Sequence, residues 1–303
     1  MLLQSVLVTD LFPQAFVDKG FHPRMTALGR SVIAMKEDVG LLFYNPAAIA
    51  FGNSAQMFAG FTDLYPIVAD DNLNVLNAGA VYPLTDIGTV GIGVSQFSPN
   101  FWNERTIILS FASHKLYENL SLGASAKILS WSAESPQGEN AVPEPAFSYS
   151  GISFDVGMLY LIPELFGEND LQFGLTLTDL TQPSIASNGN KDAVLPFQFS
   201  AGAAYVSHKY HYTILGSATM KESDIKLSFG YEISALKTST LGIDGEFLVR
   251  IGGGRIATSD SQGDYNGGFG IILDNVKVDY SYSYQAFIRN VGGISSVAIS
   301  YGF

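Results

Sequence analysis

From Ser54 to Phe303 large apolar side chains recur at every second position, in short runs cut by turn residues. Period two is the repeat of a β-strand, whose successive side chains point to opposite faces. The clearest run is 276–284. There Val276, Val278, Tyr280, Tyr282 and Tyr284 share one face, and Lys277, Asp279, Ser281 and Ser283 share the other. In 243–251, Ile243, Phe247, Val249 and Ile251 oppose Asp244, Glu246 and Arg250. In 225–233, Ile225, Leu227, Phe229, Tyr231 and Ile233 oppose Lys226, Ser228, Gly230 and Glu232. Such runs centre near residues 58, 78, 92, 109, 125, 156, 175, 201, 214, 229, 248, 270, 280 and 298, about fourteen strands in all.

Composition decides what kind of sheet this is. Hydrophobic residues are 47% and charged residues only 15%, where soluble domains carry about 25% charged residues. No run of 18 apolar residues exists, so a membrane-spanning helix is not expected. A chain this apolar, without such a helix, is expected to be all-β: a transmembrane antiparallel β-barrel that faces lipid with every second residue and a polar lumen with the others. A soluble β-sandwich is the competing reading. The net charge of −12 argues against nucleic acid as a partner. Cysteine is absent, which suits an oxidising compartment such as the periplasm.

The expected lumen is wide. Many inward positions are small: Gly91, Gly93, Gly123, Ser125, Gly157, Gly202, Ala204 and Gly230. Fourteen strands enclose more than the eight whose side chains fill their own interior, so something else must fill the space. Residues 20–53 are the expected hatch. They are rich in helix formers and broken at Gly29, Gly40 and Pro46. Asn45 is placed to cap a helical turn that begins at Pro46, where the missing N–H costs nothing. Phe43, Ile49 and Phe51 are candidate contacts for a hydrophobic ligand. The expected organisation is 1–19 as a signal-peptide remnant or flexible N-terminus, 20–53 as hatch and 54–303 as barrel. The start MLLQSVLVTDLFPQA is apolar and has no basic residue before Lys19.

Other features carry less. The lumen charges Lys127, Asp155, Lys226, Glu232, Asp244, Glu246, Arg250, Lys277 and Asp279 are mixed in sign, which suits internal pairing better than an ion-selective ring. Gly252-Gly253-Gly254-Arg255 lacks the following helix of a phosphate cradle and is expected to be a flexible loop. His208 and His211 are expected at a strand junction. Asp70, Asp71, Asn72 and Asn74, and Asp260 with Asp264, crowd two loops without EF-hand spacing. No metal site, cofactor, catalytic residue or G-x-S-x-G elbow is expected. The C-terminal run Val297, Ile299, Tyr301, Phe303 ends on an aromatic residue, as the strands read by barrel-assembly machinery do.

The segment TALGRSVIAMKEDVGLLFYNPAAIA resembles the N-terminal signature of the PorV/PorQ proteins, within the broader FadL-like group of outer-membrane barrels. The matching residues are Ala27, Leu28, Gly29, Asp38, Tyr44, Asn45, Pro46 and Ala47. Ala48 and Arg30 depart from it, where the family often has Gly. LPFQFSAGAAYV, SFGYEIS and FLVRIGGG are similar to its later strands, so the resemblance covers about residues 20–303. It implies a fourteen-stranded barrel with a lumenal hatch in the outer membrane of a diderm bacterium. It also implies a non-enzymatic role in type IX secretion, with secreted proteins or a translocon as partners beside the outer-membrane lipids. The FadL-like alternative is a channel for hydrophobic small molecules. A partner surface is expected in the loop 132–145.

Overall fold

The computed structural model describes residues 15–303 apart from 67–72, 135–146, 166, 188–192, 241–242, 258–262 and 287–291. Among the described residues fourteen strands form one closed antiparallel barrel. They are β1 Gln56–Leu64, β2 Asn74–Leu84, β3 Gly88–Phe97, β4 Trp102–Tyr117, β5 Leu120–Ala133, β6 Phe147–Ile162 and β7 Asn169–Thr178. The circuit continues through β8 Gln198–Ser207, β9 Tyr212–Lys221, β10 Asp224–Thr240, β11 Ile243–Ile256, β12 Gly263–Leu273, β13 Val276–Gln285 and β14 Ile294–Gly302. Every expected strand centre falls inside one of them. Closure is made by β1 on β14, from Gln56 opposite Gly302 to Leu64 opposite Ile294. A closed ladder leaves no strand edge, which is the condition for a sheet to stand in lipid.

The two ends differ. After even-numbered strands the connections are short, 85–87, 118–119, 163–168, 208–211, 241–242 and 274–275. The opposite end carries the longer connections 134–146 and 179–197. In bacterial barrels the short turns face the periplasm. The alternation sorts cleanly by face. Phe229, Ile251 and Ile299 point outward and are about half exposed, whereas Glu232, Arg250 and Asp279 point inward and are buried.

Three expectations need correction. Gly252–Gly254 and Arg255 are not a loop but lie in β11, paired with β10 through Arg255 opposite Leu227. Asp244 and Glu246, expected among the lumen charges, lie at the rim rather than in the buried cluster. The β10–β11 hairpin runs on past Ile233, the last β10 residue that β9 pairs. That extension carries Asp244 to the exposed periplasmic rim, where its N–H donates to the Asp274 carboxylate, and sets Glu246 3.6 Å from Lys237. Residues 15–19 do not belong with a flexible terminus. Ala15 is buried, and the Phe16 N–H and Lys19 ammonium both donate to Glu104 of β4. Residues 1–14, most of the loop 132–145, and Asp70, Asp71, Asn72 and Asp260 lie outside the described residues.

Between residues 15 and 51 the chain packs on the inward faces of strands around the circuit, which one segment can do only from inside. The helix α1, Pro23–Ala27, lies against β11–β14. Two 3₁₀ turns follow, Val39–Phe43 against β1–β3 and Pro46–Phe51 against β3–β6. The expected second helical turn is therefore present but wound more tightly than an α-helix. Met25, Leu28, Val32, Leu41, Ala47 and Ala48 are fully buried against inward apolar residues that include Leu159, Ala204 and Leu215. This apolar core inside the barrel is what excludes water from the lumen centre.

Candidate functional site

The segment is seated on glycines. A Cβ on Gly123 would stand 2.5 Å from the Ala47 nitrogen, and one on Gly174 2.5 Å from the Ile33 carbonyl carbon. One on Gly230 would stand 2.7 Å from the Leu28 oxygen, and one on Gly157 would collide with the Asn45 side chain. Gly252 meets Leu28 and Gly29 in the same way. Contacts closer than about 3 Å are forbidden to carbon. The inward glycines therefore allow the segment's backbone to lie directly on the wall. They are filled space rather than room left over.

Asn45 ties the two together. Its carboxamide oxygen accepts from the Ala47 N–H at 3.0 Å and caps the second 3₁₀ turn. Its nitrogen donates to the Ile33 carbonyl at 2.7 Å and to Met158 of β6 at 3.2 Å. Pro46 follows with no N–H to satisfy. Asp38 caps the first turn by accepting from the Gly40 N–H at 2.9 Å. Asn45→Asp keeps the cap and loses both donated bonds, leaving carboxylate oxygen against two carbonyls. We expect it to weaken docking of the segment by about 2 kcal/mol, read as earlier loss of the folded gel mobility on heating. Mobility unchanged from wild type would contradict this role.

A buried ionic cluster latches α1 to β10, β11 and β13. Arg24 pairs bidentately with Glu232, at 2.9 and 2.6 Å, and reaches Asp38 at 2.7 Å. Lys277 donates to the same Asp38 oxygen at 2.6 Å and lies 3.2 Å from Asp279. Arg250, fully buried, pairs with Glu232 and with Asp279 at 2.7 Å. Three cations meet three anions, so the cluster is neutral as a unit. That neutrality is what makes burial of these charges tolerable. Lys127 makes a separate wall cluster with Asp155 and Asp179, and Lys226 pairs with Asp264 at 2.7 Å.

His22 sits beside the central latch. Its Nδ1 accepts from the Arg24 N–H at 3.2 Å, and its ring meets Phe58 edge-on. Burial holds its imidazole down to about 4, against the pull of Asp38 and Asp279, while Lys277 and Arg24 push the same way as burial. The docked segment thus leaves His22 neutral where a released one would bind a proton. Docking is strongest above about pH 6.5 and weakens as pH falls toward 4, by about 3 kcal/mol at the acid end. Cleavage within residues 15–51 by papain, which works in mild acid, scaled to its cutting of an unfolded peptide at each pH, should rise over that window in wild type. In His22→Asn, which keeps an acceptor for the Arg24 N–H, the rise should flatten. A rise of the same size in the variant would exclude His22 as its source.

On the long-connection side of the segment lies a cavity of about 420 Å³. Its lining includes Phe21, Phe43, Tyr44, Lys127, Asp155 and Lys226. Tyr44 donates to Asp18 at 2.7 Å, and Asp18 accepts from Arg30 at 2.8 Å. Of the three candidate ligand contacts, Phe43 alone lines this cavity. Ile49 is buried against Gly91 and the surrounding core. Phe51 stacks on His114, with ring centroids 5.0 Å apart. Arg24 and Asp18 are among the polar residues that sequence reasoning missed. Neither sits in an alternating run, so no facing pattern marked them.

Ile299, Tyr301 and Phe303 lie on the lipid face of the closing strand and just past its end. Tyr301 and Phe303 meet edge to face, and the Phe303 N–H donates to Ala55.

A scan of protein-family models matches residues 40–301 to the type IX secretion system membrane protein PorP/SprF. Among solved structures, a Pseudomonas aeruginosa FadL homologue is 14% identical with a TM-score of 0.55, over 94% of this chain and 97% of that one. The TodX monoaromatic hydrocarbon channel, as its deltaS2S3 mutant, is 12% identical with a TM-score of 0.61, over 94% and 99%. At these identities the likeness is one of fold. A search of curated proteins finds no match. The matched family is PorP/SprF rather than the PorV/PorQ group that the N-terminal signature resembles, and part of that signature, Ala27 to Asp38, precedes the matched span. The lipid-facing wall and the family place the protein in the outer membrane of a Gram-negative bacterium. With 40–301 matched, the chain belongs to the PorP/SprF family of type IX secretion system membrane proteins.

Proposed function

We propose that this protein is a non-enzymatic component of type IX protein secretion and surface display whose barrel is closed by its own N-terminal segment. The observation that carries the reading is the family match over residues 40–301; the contacts of residues 23–51 with the inward strand faces support a closed barrel. A lumen latched by buried ion pairs is built to hold shape rather than to conduct. Its use is then as a membrane platform, and secreted proteins or a translocon are the partners. The segment Asp38, Tyr44, Asn45, Pro46 and Ala47 acts as the plug that the PorV/PorQ resemblance implies. Val297, Ile299, Tyr301 and Phe303 are the signal offered to barrel-assembly machinery.

Deleting the gene in the source bacterium should leave type IX substrates in the periplasm and strip them from the cell surface. Surface display at the wild-type level would sink the proposal.

The FadL-like reading, a channel for hydrophobic molecules, draws on the fold shared with the TodX channel. Against it stand the unbroken pairing of β1 through β14 and a cavity wall carrying Lys127, Asp155, Lys226 and Asp264. A hydrocarbon passing such groups gains nothing for stripping their water. Unchanged uptake of alkanes and aromatics in the deletion strain would separate the two readings.

A further inference from the structure

The cavity above the plug has two unlike walls, and together they specify a ligand. One wall is apolar and aromatic. Phe21 and Phe43 stack with ring centroids 4.9 Å apart and planes 23° from parallel, and both line the space. The facing wall is polar. Thr178 of β7, Gln198 of β8 and Ser228 of β10 alternate inward on the lumen side and line the cavity. None of the three side chains has a hydrogen-bond partner among the described residues. Thr219 of β9, beside them, shares its hydroxyl with Ser200 at 2.9 Å.

The charges at this site are already committed. Lys127 bridges Asp155 and Asp179, Lys226 holds Asp264, Arg30 holds Asp18, and Lys221, the remaining cation of the lining, is engaged as well. A charged ligand would have to break one of these pairs to find a counter-charge. A hydrocarbon would bury the free hydroxyls and the amide without replacing their water, at a cost for each. A neutral molecule with hydroxyls on its edges and C–H on its face suffers neither penalty. Its face would lie on the aromatic rings and its edge hydroxyls would bond the polar wall. The volume, about 420 Å³, is within the usual range for small-molecule sites, roughly 300–1,000 Å³.

From this juxtaposition we propose that the cavity on the long-connection side of the plug is a binding site for a neutral saccharide of one or two rings. A file of aromatic side chains leads into it from outside. Phe16 lines the cavity and meets Tyr149, Tyr149 meets Trp131, and Trp131 stacks on Trp102 with centroids 4.6 Å apart. Those are the two tryptophans of the chain. Any ligand entering here passes the protein's own fluorescent reporters.

The test uses the full chain in lauryldimethylamine oxide, which has no sugar headgroup. Maltose, cellobiose and diacetylchitobiose are titrated while tryptophan fluorescence is read, with calorimetry as a second measure. We expect saturable binding of at least one. In Thr178→Val with Gln198→Leu we expect it to weaken tenfold or more, through two lost hydrogen bonds. Heat-modified gel mobility checks that the variant barrel is folded. A flat response to all three sugars overturns the proposal. So does tighter binding of glucose 6-phosphate than of the neutral sugars, or saturation by toluene in their place. Because secretion is measured separately in cells, failure here leaves the secretion reading standing.

Discussion

Gly174→Ala should drive residues around Ile33 off the wall and open the barrel. The new Cβ would meet the Ile33 carbonyl, with its carbon at 2.5 Å and the Ala34 Cα at 2.9 Å. These are backbone atoms and cannot rotate away, so wall or segment must shift. Overpacking of this kind costs about 3 kcal/mol at its upper end, or roughly a hundredfold in the ratio of closed to open barrels. Two measurements follow it. Conductance in planar bilayers should rise from the closed level to that of an open pore. Trypsin should cut at Arg24, Arg30 and Lys36, which the wild-type barrel shelters. Gly216→Ala is the matched control, because nothing lies within 4 Å of its added Cβ. It should change neither readout. Equal behaviour of the two variants would disprove the seating role of Gly174.

Arg250→Ala attacks the latch from the wall. It removes the residue that joins Glu232 to Asp279 and leaves the buried cluster with two cations against three anions. An uncompensated buried charge costs about 3–5 kcal/mol. We expect a lower urea midpoint for the folded barrel in detergent micelles, and a larger trypsin-sensitive fraction. The double variant Arg250→Met with Asp279→Asn restores the balance, since Arg24 and Lys277 then face Asp38 and Glu232. It should recover more than half of the loss. A single variant as stable as wild type would mean that the cluster contributes no net stability. A double variant worse than the single would mean that geometry, not charge balance, holds the latch.

Much of the wall was legible because a barrel strand states its facing residue by residue. Lys277, Asp279, Ser281 and Ser283 could face the lumen only if Val278, Tyr280 and Tyr282 faced lipid, and a one-residue slip would invert both sets. Fourteen strand centres and the inward place of Arg250 and Glu232 came from that rule alone. Asn45 as a cap and Pro46 as the first residue of a turn came from local backbone chemistry, which is equally short-ranged. The 3₁₀ winding did not, because helical propensity does not distinguish the two windings in a segment of six residues.

The sequence by itself determined the barrel, its facing and the break at Asn45-Pro46, because each depends on neighbours within a few residues. What only the tertiary structure decided is which partners those residues meet across the lumen. Asp38 and Lys277 are 239 positions apart and Arg24 and Glu232 are 208 apart, yet both pairs close the same buried cluster. Gly252 reads as loop in the sequence and is wall in the fold, because its missing side chain answers to Leu28 and Gly29 inside the barrel rather than to its own neighbours. Alternation fixes the direction of a side chain, and closure of the ring fixes what it finds there.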